Sequence, residues 1–305
     1  MKVSVITPSF NQGRFIERTI QSVLTQGYQN FEYFIFDGGS TDETLPILEF
    51  YQTNHDRFKY ISESDRGQAH AVNKGILRTD GDIIAWINSD DIYYANTFHK
   101  IIQIFQTYPH LSILYGQADH INEADEILEA YPVESWDYKR LTQTCYLCQP
   151  AVFFKRSIVD KMGLLDESFH YSIDYEFWLR CGKEFPFFYL DTKLAASRLY
   201  PQNKTLTNPR AVFYESSLAV KKHIGFVPDK WVLGYAFATA EAESLRNDET
   251  PVYDKVFFHL FLSHSIQNFR FWQQIPSPWG GTKLLYWFFK CFLNVRTNKF
   301  CKPID

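Results

Sequence analysis

Two adjacent carboxylates, Asp90 and Asp91, follow directly on the apolar run Ile83-Ile84-Ala85-Trp86-Ile87, with only Asn88 and Ser89 between. Neighbouring carboxylates repel and an unpaired buried charge is costly, so the pair calls for a cation or polar partners. Further acids close other apolar runs: Asp37 after Phe31–Phe36, and Asp65 after Phe58–Ile61. Acids gathered at strand ends suit ribose hydroxyls and a divalent cation bridging phosphates. A later acid, Asp174, opens the segment Asp174-Tyr175-Glu176-Phe177-Trp178-Leu179-Arg180, where it could cap a helix or serve as a proton acceptor.

The elements that must carry these acids follow from hydrophobic spacing. Val3–Ile6, Phe31–Phe36, Phe58–Ile61, Ile83–Ile87 and Ile113–Tyr115 read as short strands. Between them, Ile16, Ile20, Val23 and Leu24 share one helical face, as do Ala69, Val72 and Ile76, and Phe98, Ile101, Ile102 and Phe105. Ser40 and Glu43 have the spacing of a capping box ahead of a helix through Leu45 and Leu48. Strands alternating with helices predict an α/β fold with a mostly parallel sheet, whose ligands collect at the carboxyl ends of the strands.

Composition excludes several classes. The chain has 305 residues, 45% hydrophobic and 22% charged, with a net charge of −4 and no basic footprint for nucleic acid. Five irregularly spaced cysteines predict reduced thiols, and Cys145-x-x-Cys148 lacks the second pair that zinc would need. The apolar stretch at the N-terminus is too short for a signal peptide, and no apolar run reaches spanning length, so a cytoplasmic protein is expected. The first strand–helix turn, Thr7-Pro8-Ser9-Phe10-Asn11-Gln12-Gly13, holds one glycine and a proline, which removes the dinucleotide-binding fingerprint. No Gly-Lys-Ser/Thr of a P-loop occurs.

Four blocks occur in a fixed order: Val5-Ile6-Thr7-Pro8-Ser9-Phe10-Asn11, Asp37-Gly38-Gly39-Ser40-Thr41-Asp42, Asp65-Arg66-Gly67-Gln68 with Asn73-Lys74-Gly75, and Asn88-Ser89-Asp90-Asp91. In this the chain resembles glycosyltransferase family 2, the inverting, nucleotide-sugar-dependent transferases of GT-A fold. The resemblance covers roughly the first two thirds of the chain. It implies a GT-A sheet with a nucleotide-binding part at 1–115 and an acceptor part at 116–208, followed by a helical, aromatic-rich region at 209–305. It implies that Thr7, Pro8 and Asp37 line the base and ribose pocket, that Arg66 lies along the nucleotide and that Asp90 approaches the ribose or donor sugar. Asp91 is expected to hold Mg²⁺ or Mn²⁺ against the diphosphate, and Asp174 to be the catalytic base, with Glu176 as the second candidate or an ion-pair partner. The implied donor is a UDP-sugar by default, and the acceptor a glycan or lipid-linked oligosaccharide of bacterial surface polysaccharide synthesis.

Two departures from the family pattern bear on the metal. Asn88 stands where the family usually has the first acid of Asp-x-Asp, and an amide carries no charge. Tyr200, in Ser197-Arg198-Leu199-Tyr200, stands where family members often carry a histidine, and Arg198 beside it is a candidate phosphate contact. They motivate a rival reading, a catalytically silent nucleotide-sugar-binding or scaffolding protein. Beyond the polar, proline-bearing stretch 201–209, helices are expected over Ala211–Ile224, Lys230–Arg246 and Val252–Trp272. The tail 283–299 is aromatic with basic flanks, which suits a peripheral contact with the inner face of a membrane, packing on the rest of the chain, or a second subunit in a homo-oligomer.

Overall fold

The computed structural model describes residues 1–244 and 255–292. Arg246, Val252 and, in the tail, Arg296 and Lys299 lie outside the described residues. The chain divides into two compact units, Met1–Tyr138 with Cys145–Pro201, and Lys139–Thr144 with Gln202–Asp305.

The first unit begins as a run of strand–helix repeats: β1 (Val3–Ser9), α1 (Ile16–Leu24), β2 (Phe31–Asp37), α2 (Thr44–Asn54), β3 (Phe58–Ser62), α3 (Gln68–Arg78) and β4 (Ile83–Trp86). It continues with β5 (Ile92–Tyr93), α4 (Thr97–Thr107), β6 (Ile113–Ile121) and β7 (Ile127–Ala130). A one-turn helix, α5 (Tyr138–Leu141), carries the chain into the second unit, and it returns to form β8 (Val152–Lys155), α6 (Arg156–Met162), α7 (Ile173–Gly182) and β9 (Phe188–Arg198). The sheet order is β3-β2-β1-β4-β8-β6-β9-β5, with β7 beside β6. β3, β2, β1 and β4 run parallel, β8 is antiparallel to both neighbours, and β6 and β9 are parallel to each other. The mostly parallel sheet expected from the sequence is realised in these first four strands. The later strands mix direction because β8 is entered from a long connection rather than through a crossover helix.

Both faces of the parallel part are covered, which is why its strands read as continuous apolar runs. Val3, Val5, Tyr33, Ile35, Ile83 and Ala85 pack with Ile16, Ile20 and Val23 of α1, Leu48 and Tyr51 of α2, and Phe98 and Phe105 of α4. The opposite face receives α3 so closely that a Cβ on Gly75 would lie 2.4 Å from Cγ2 of Ile6. Only glycine admits that approach. The strand order reverses between β1 and β4, so the turn after β4 sits at the switch point of the sheet.

Two local expectations are corrected. Ser40 and Glu43 form no capping box: the Ser40 hydroxyl is held by Asp37, and the helix begins at Thr44, whose N–H is accepted by Asp42 at 3.0 Å. Asp174 does not cap α7, because the helix begins one residue earlier, at Ile173, with Ser172 before it.

The second unit is helical: α8 (Lys204–Thr207), α9 (Pro209–Ile224), α10 (Asp229–Ser244), α11 (Lys255–Phe271) and α12 (Pro278–Phe292). Asn208 caps α9 by accepting from Ala211 N, with Pro209 in the first turn, and Gly225 closes it at φ +85°. Trp231 is buried, and its indole N–H donates to the Thr142 carbonyl at 2.9 Å. Among the described residues, no helix is long and apolar enough to cross a membrane.

Candidate active site

The acid pair is held by one strand end from much later in the chain. Asp91 is 3% exposed. Its Oδ1 accepts the backbone N–H of Arg198 at 2.9 Å, its Oδ2 faces the Asn88 amide nitrogen at 3.4 Å, and Ser197 adds a side-chain hydrogen bond. Thr19 ties the Asp91 carbonyl to α1 at 2.7 Å. Burial, reinforced by the neighbouring Asp90 charge, pushes the Asp91 carboxyl well above the usual carboxylate range. Asp90 is half-buried, and its Oδ2 accepts the Tyr200 hydroxyl at 2.9 Å. Burial raises its carboxyl too, with the Tyr200 hydrogen bond opposing. The more open member of the pair is therefore Asp90, whereas the sequence pointed to Asp91 as the residue that meets a cation.

Arg198 is the keystone of this arrangement. It is 0% exposed. Its Nε donates to the Asp90 carbonyl at 2.8 Å and its Nη1 to the Asn122 carbonyl at 2.6 Å, while Nη2 lies 2.5 Å from Oδ1 of Asp125. The guanidinium also lies 5.0 Å from the centroid of the Phe15 ring, which itself packs on Tyr200 at 4.8 Å. A sealed guanidinium so occupied does not face a diphosphate, which corrects the phosphate-contact expectation for Arg198. Replacing it leaves the Asp90 and Asn122 carbonyls without this donor and removes the charge beside Asp125, which Arg18 also holds. Arg198→Met is accordingly expected to lower the unfolding free energy by about 3 kcal/mol, read by urea unfolding; Arg198→Lys restores little, since one ammonium cannot reach three acceptors. A loss below about 1 kcal/mol would show that the clamp is dispensable.

Asn88 completes the turn rather than opening onto it. Its Oδ1 accepts Gln68 Nε2 at 2.7 Å and Trp86 Nε1 at 3.1 Å, and its amide nitrogen faces Asp91. The amide both accepts and donates here, which a carboxylate could not do without adding a third charge beside the pair.

At the other strand ends the sequence-predicted residues are placed as follows. Thr7 and Asp37 are buried with no exposed surface, and Pro8 is buried. The Thr7 hydroxyl shares a hydrogen bond of 3.1 Å with Tyr33. Asp37 Oδ2 accepts Gly39 N at 3.0 Å, Ser40 N at 2.9 Å and Ser62 Oγ at 2.7 Å, and its Oδ1 accepts Ser40 Oγ at 2.5 Å. These hydrogen bonds hold the strand-end turns in shape. Arg66 is 70% exposed at the side chain, and both its Nε and Nη2 donate to Oε2 of Glu167, at 3.1 and 2.6 Å. Glu167 also meets Asn73, whose amide pairs both ways with the Leu165 backbone at 3.0 Å. Asn73 fastens α3 to the turn before α7. The exposed Arg66–Glu167 pair is weak enough for a phosphate to displace it.

Asp174 lies in the first turn of α7 and is half-buried. Glu176 is buried and paired with Arg180 at 3.0 Å, so it is the ion-pair member and not the second base. The surroundings of Asp174 and Asp91 overlap. The Cys148 thiol is pushed up by burial, then by the charges of Asp91, Cys145 and Asp174. The Tyr131 hydroxyl is pushed up by burial and by the same four-group neighbourhood of Cys145, Cys148, Asp174 and Asp91. Cys145 is raised by burial and by Asp174. Asp91 and Asp174 thus both act electrostatically on Tyr131 and Cys148. Sequence reasoning found Asp174 and Asp91 but had no signal for Tyr131, which no motif marks. The cysteines are free thiols.

An acid pair at the switch point of a half-parallel sheet lies where ligands of open α/β sheets collect. The comparisons narrow the class of protein. The family model described as "Glycosyl transferase family 2" matches residues 4–163, more than half of the chain, and the chain belongs to that family. It is 28% identical over 218 residues to an uncharacterized glycosyltransferase of Rickettsia prowazekii, spanning 67% of this chain and 66% of that protein. It is 30% identical over 184 residues to the UDP-Glc:alpha-D-GlcNAc-diphosphoundecaprenol beta-1,3-glucosyltransferase WfgD of Escherichia coli, covering 60% of this chain and 70% of that one. Among solved structures, S. aureus TarS 1–349 aligns with a TM-score of 0.61 at 19% identity, over 96% of this chain and 89% of that one. The mannosyltransferase PcManGT of Pyrobaculum calidifontis, solved with GDP-Man and Mn²⁺, aligns at TM-score 0.56 and 14% identity, over 97% and 76%. These structural neighbours identify the fold as GT-A.

Proposed function

We propose that the chain is an inverting glycosyltransferase that passes a sugar from a nucleotide-sugar donor to a hydroxyl of a glycan or lipid-linked acceptor. The reading rests on the family match over residues 4–163, with Asp90 and Asp91 at the switch point of the sheet and Asp174 in the first turn of α7. The nucleotide end of the donor lies along the strand ends of residues 1–115, with Arg66 leaving Glu167 for the diphosphate. The acceptor enters on the side of residues 116–208. Asp174 takes the proton from the acceptor hydroxyl as its oxygen forms the new bond to the anomeric carbon, and the bond from that carbon to the diphosphate breaks on the opposite face.

The donor set fits a divalent cation held mostly by substrate. Among the described residues no group of three or more His, Cys, Asp or Glu could hold an ion by itself. Asp90, half-buried beside Tyr200, would supply one carboxylate, with Asp91 and Asn88 fixing its turn. One carboxylate plus phosphate oxygens and water suits Mg²⁺ or Mn²⁺. Bound there, the ion would neutralise charge developing on the leaving diphosphate. A UDP-sugar is the donor we expect, in keeping with the neighbour structures TarS with UDP and TarS with UDP-GlcNAc. WfgD, whose acceptor is diphosphoundecaprenol-linked, and the Escherichia coli chondroitin synthase, 27% identical over 206 residues, support polysaccharide or lipid-linked glycan synthesis as the setting.

The deciding experiment is a thermal-shift screen of UDP-, GDP- and dTDP-sugars with and without Mg²⁺ or Mn²⁺, followed by nucleoside-diphosphate release. A ligand present at 100 times its Kd stabilises by about 2.7 kcal/mol, so a donor produces an obvious shift. A shift without released diphosphate in the presence of varied acceptors would favour the silent sugar-nucleotide binder, whose motivation is the fully engaged Asn88 amide.

A further inference from the structure

The helical unit holds an apolar surface that its own packing leaves uncovered. Two of its loops are stitched together. Val227 N–H donates to Gln274 Oε1 at 3.2 Å, and the Gln274 amide returns a bond to the Val227 carbonyl at 2.5 Å. Asp229 accepts the Ser277 N–H at 2.8 Å and the Ser277 hydroxyl, and a Cβ on Gly280 would fall 2.2 Å from the same carboxylate. The loops are thus rigidly paired, yet the residues beside these bonds point outward. Phe226, Phe271 and Trp279 are exposed, and Ile275 is 90% exposed. Large apolar side chains on the paired loops and the helix ends beside them are not explained by the core, which Val227, Trp272 and Phe269 supply.

Charge singles out what covers them. Residues 219–230 and 266–286 hold five Lys and Arg against one acid, whereas the rest of the chain holds 26 against 34. That acid, Asp229, is consumed in the loop pairing. Lys221 stacks on Trp272 at 5.0 Å and Lys283 on Trp279 at 5.3 Å, so cations sit directly beside the aromatic rings. Lys222 and Arg270 are exposed on the same elements. Apolar tips flanked by cations, on a chain whose remainder is acidic, match an anionic bilayer: rings and aliphatic tips enter the acyl boundary while ammonium groups meet lipid phosphates.

We propose that this surface, built from Phe226, Phe271, Ile275 and Trp279 with Lys221 and Lys283, docks the protein on an anionic lipid membrane. The proposal stands apart from the transfer reaction, and its readout does not need the enzyme to be active. The apolar anchor is the loop pair.

The test is co-sedimentation of the full chain with vesicles of phosphatidylcholine alone and of phosphatidylcholine with 30 mol% phosphatidylglycerol, a lipid mixture chosen as probe (~0.15 M salt, where screening is physiological). Strong partition to the anionic vesicles only is expected. The double variant Phe226→Ser with Ile275→Ser should cut that partition at least tenfold. Lys221→Gln with Lys283→Gln should cut it roughly tenfold through lost lipid attraction. Circular dichroism and unfolding midpoints equal to wild type keep loss of fold from being mistaken for loss of docking. No anionic preference, or partition untouched by either variant, overturns the proposal. So does a dimer, seen by light scattering, that the Phe226/Ile275 variant dissolves, since the surface would then belong to a second copy.

Discussion

Asp174→Asn is expected to reduce sugar transfer by about 10²–10⁴-fold while leaving donor affinity within about twofold. The substitution keeps shape and removes the proton acceptor. Asp174 is the second residue of α7 and half-buried, so the isosteric change leaves the helix start at Ile173 intact. The measurement is released nucleoside diphosphate and transferred sugar at saturating donor, with Kd for the donor from calorimetry. The split between lost turnover and retained binding is what separates a base from a structural acid. Glu176→Gln should behave differently: its carboxylate is buried against Arg180, so it costs stability first and turnover only as a consequence. If Asp174→Asn turned over normally, the base would have to come from elsewhere and the mechanism above would fall.

The second large effect distinguishes the two members of the acid pair. Asp90→Asn is expected to weaken Mg²⁺- or Mn²⁺-dependent donor binding more than Asp91→Asn, which acts from behind and should cost about 10–100-fold in metal affinity. The reason is exposure: Asp90 is the more open carboxylate, whereas Asp91 turns both oxygens toward Arg198 N, Ser197 and Asn88. Calorimetry of donor with and without metal reads both variants, and the reverse order would return the cation to Asp91. The pH dependence has a defined sign. The Asp90 carboxyl is raised, so donor binding through a cation is lost as pH falls, at a pH above the ordinary carboxylate value of about 4. For stability the sign is opposite. A raised folded pKa, as at Asp91, favours the native state at low pH, and that contribution disappears as pH rises through the raised value. In chelator, Asp91→Asn should therefore lose less stability between acid and neutral pH than wild type.

Much of the fold could be read directly because local chemistry wrote it. β1, β2, β3 and β4 are apolar runs of strand length, and their parallel pairing follows from the helices between them. The same holds for α9, whose Asn208 cap, Pro209 start and Gly225 stop are all local signals. The capping box at Ser40 failed because its hydroxyl had a stronger partner three residues earlier, the Asp37 carboxylate. The antiparallel β8 and the return of β9 beside β6 had no sequence signature, since strand partners far apart in sequence are chosen by packing and not by pattern.

For the candidate site, the amino-acid sequence by itself determined which residue types meet: an acid pair after a buried strand, an acid opening a later helix, and an order of motifs that marks the family. Tertiary structure alone decided the surroundings of each acid. It sealed Asp37 and Thr7 into the strand-end turns, turned Asp91 inward and left Asp90 as the open carboxylate. It also brought the end of β9 back to supply Ser197, Arg198 and Tyr200 to a turn roughly a hundred residues earlier. The physical reason is that ionisation, exposure and hydrogen-bond saturation are properties of an environment, and these environments are assembled from segments that no local interaction holds together.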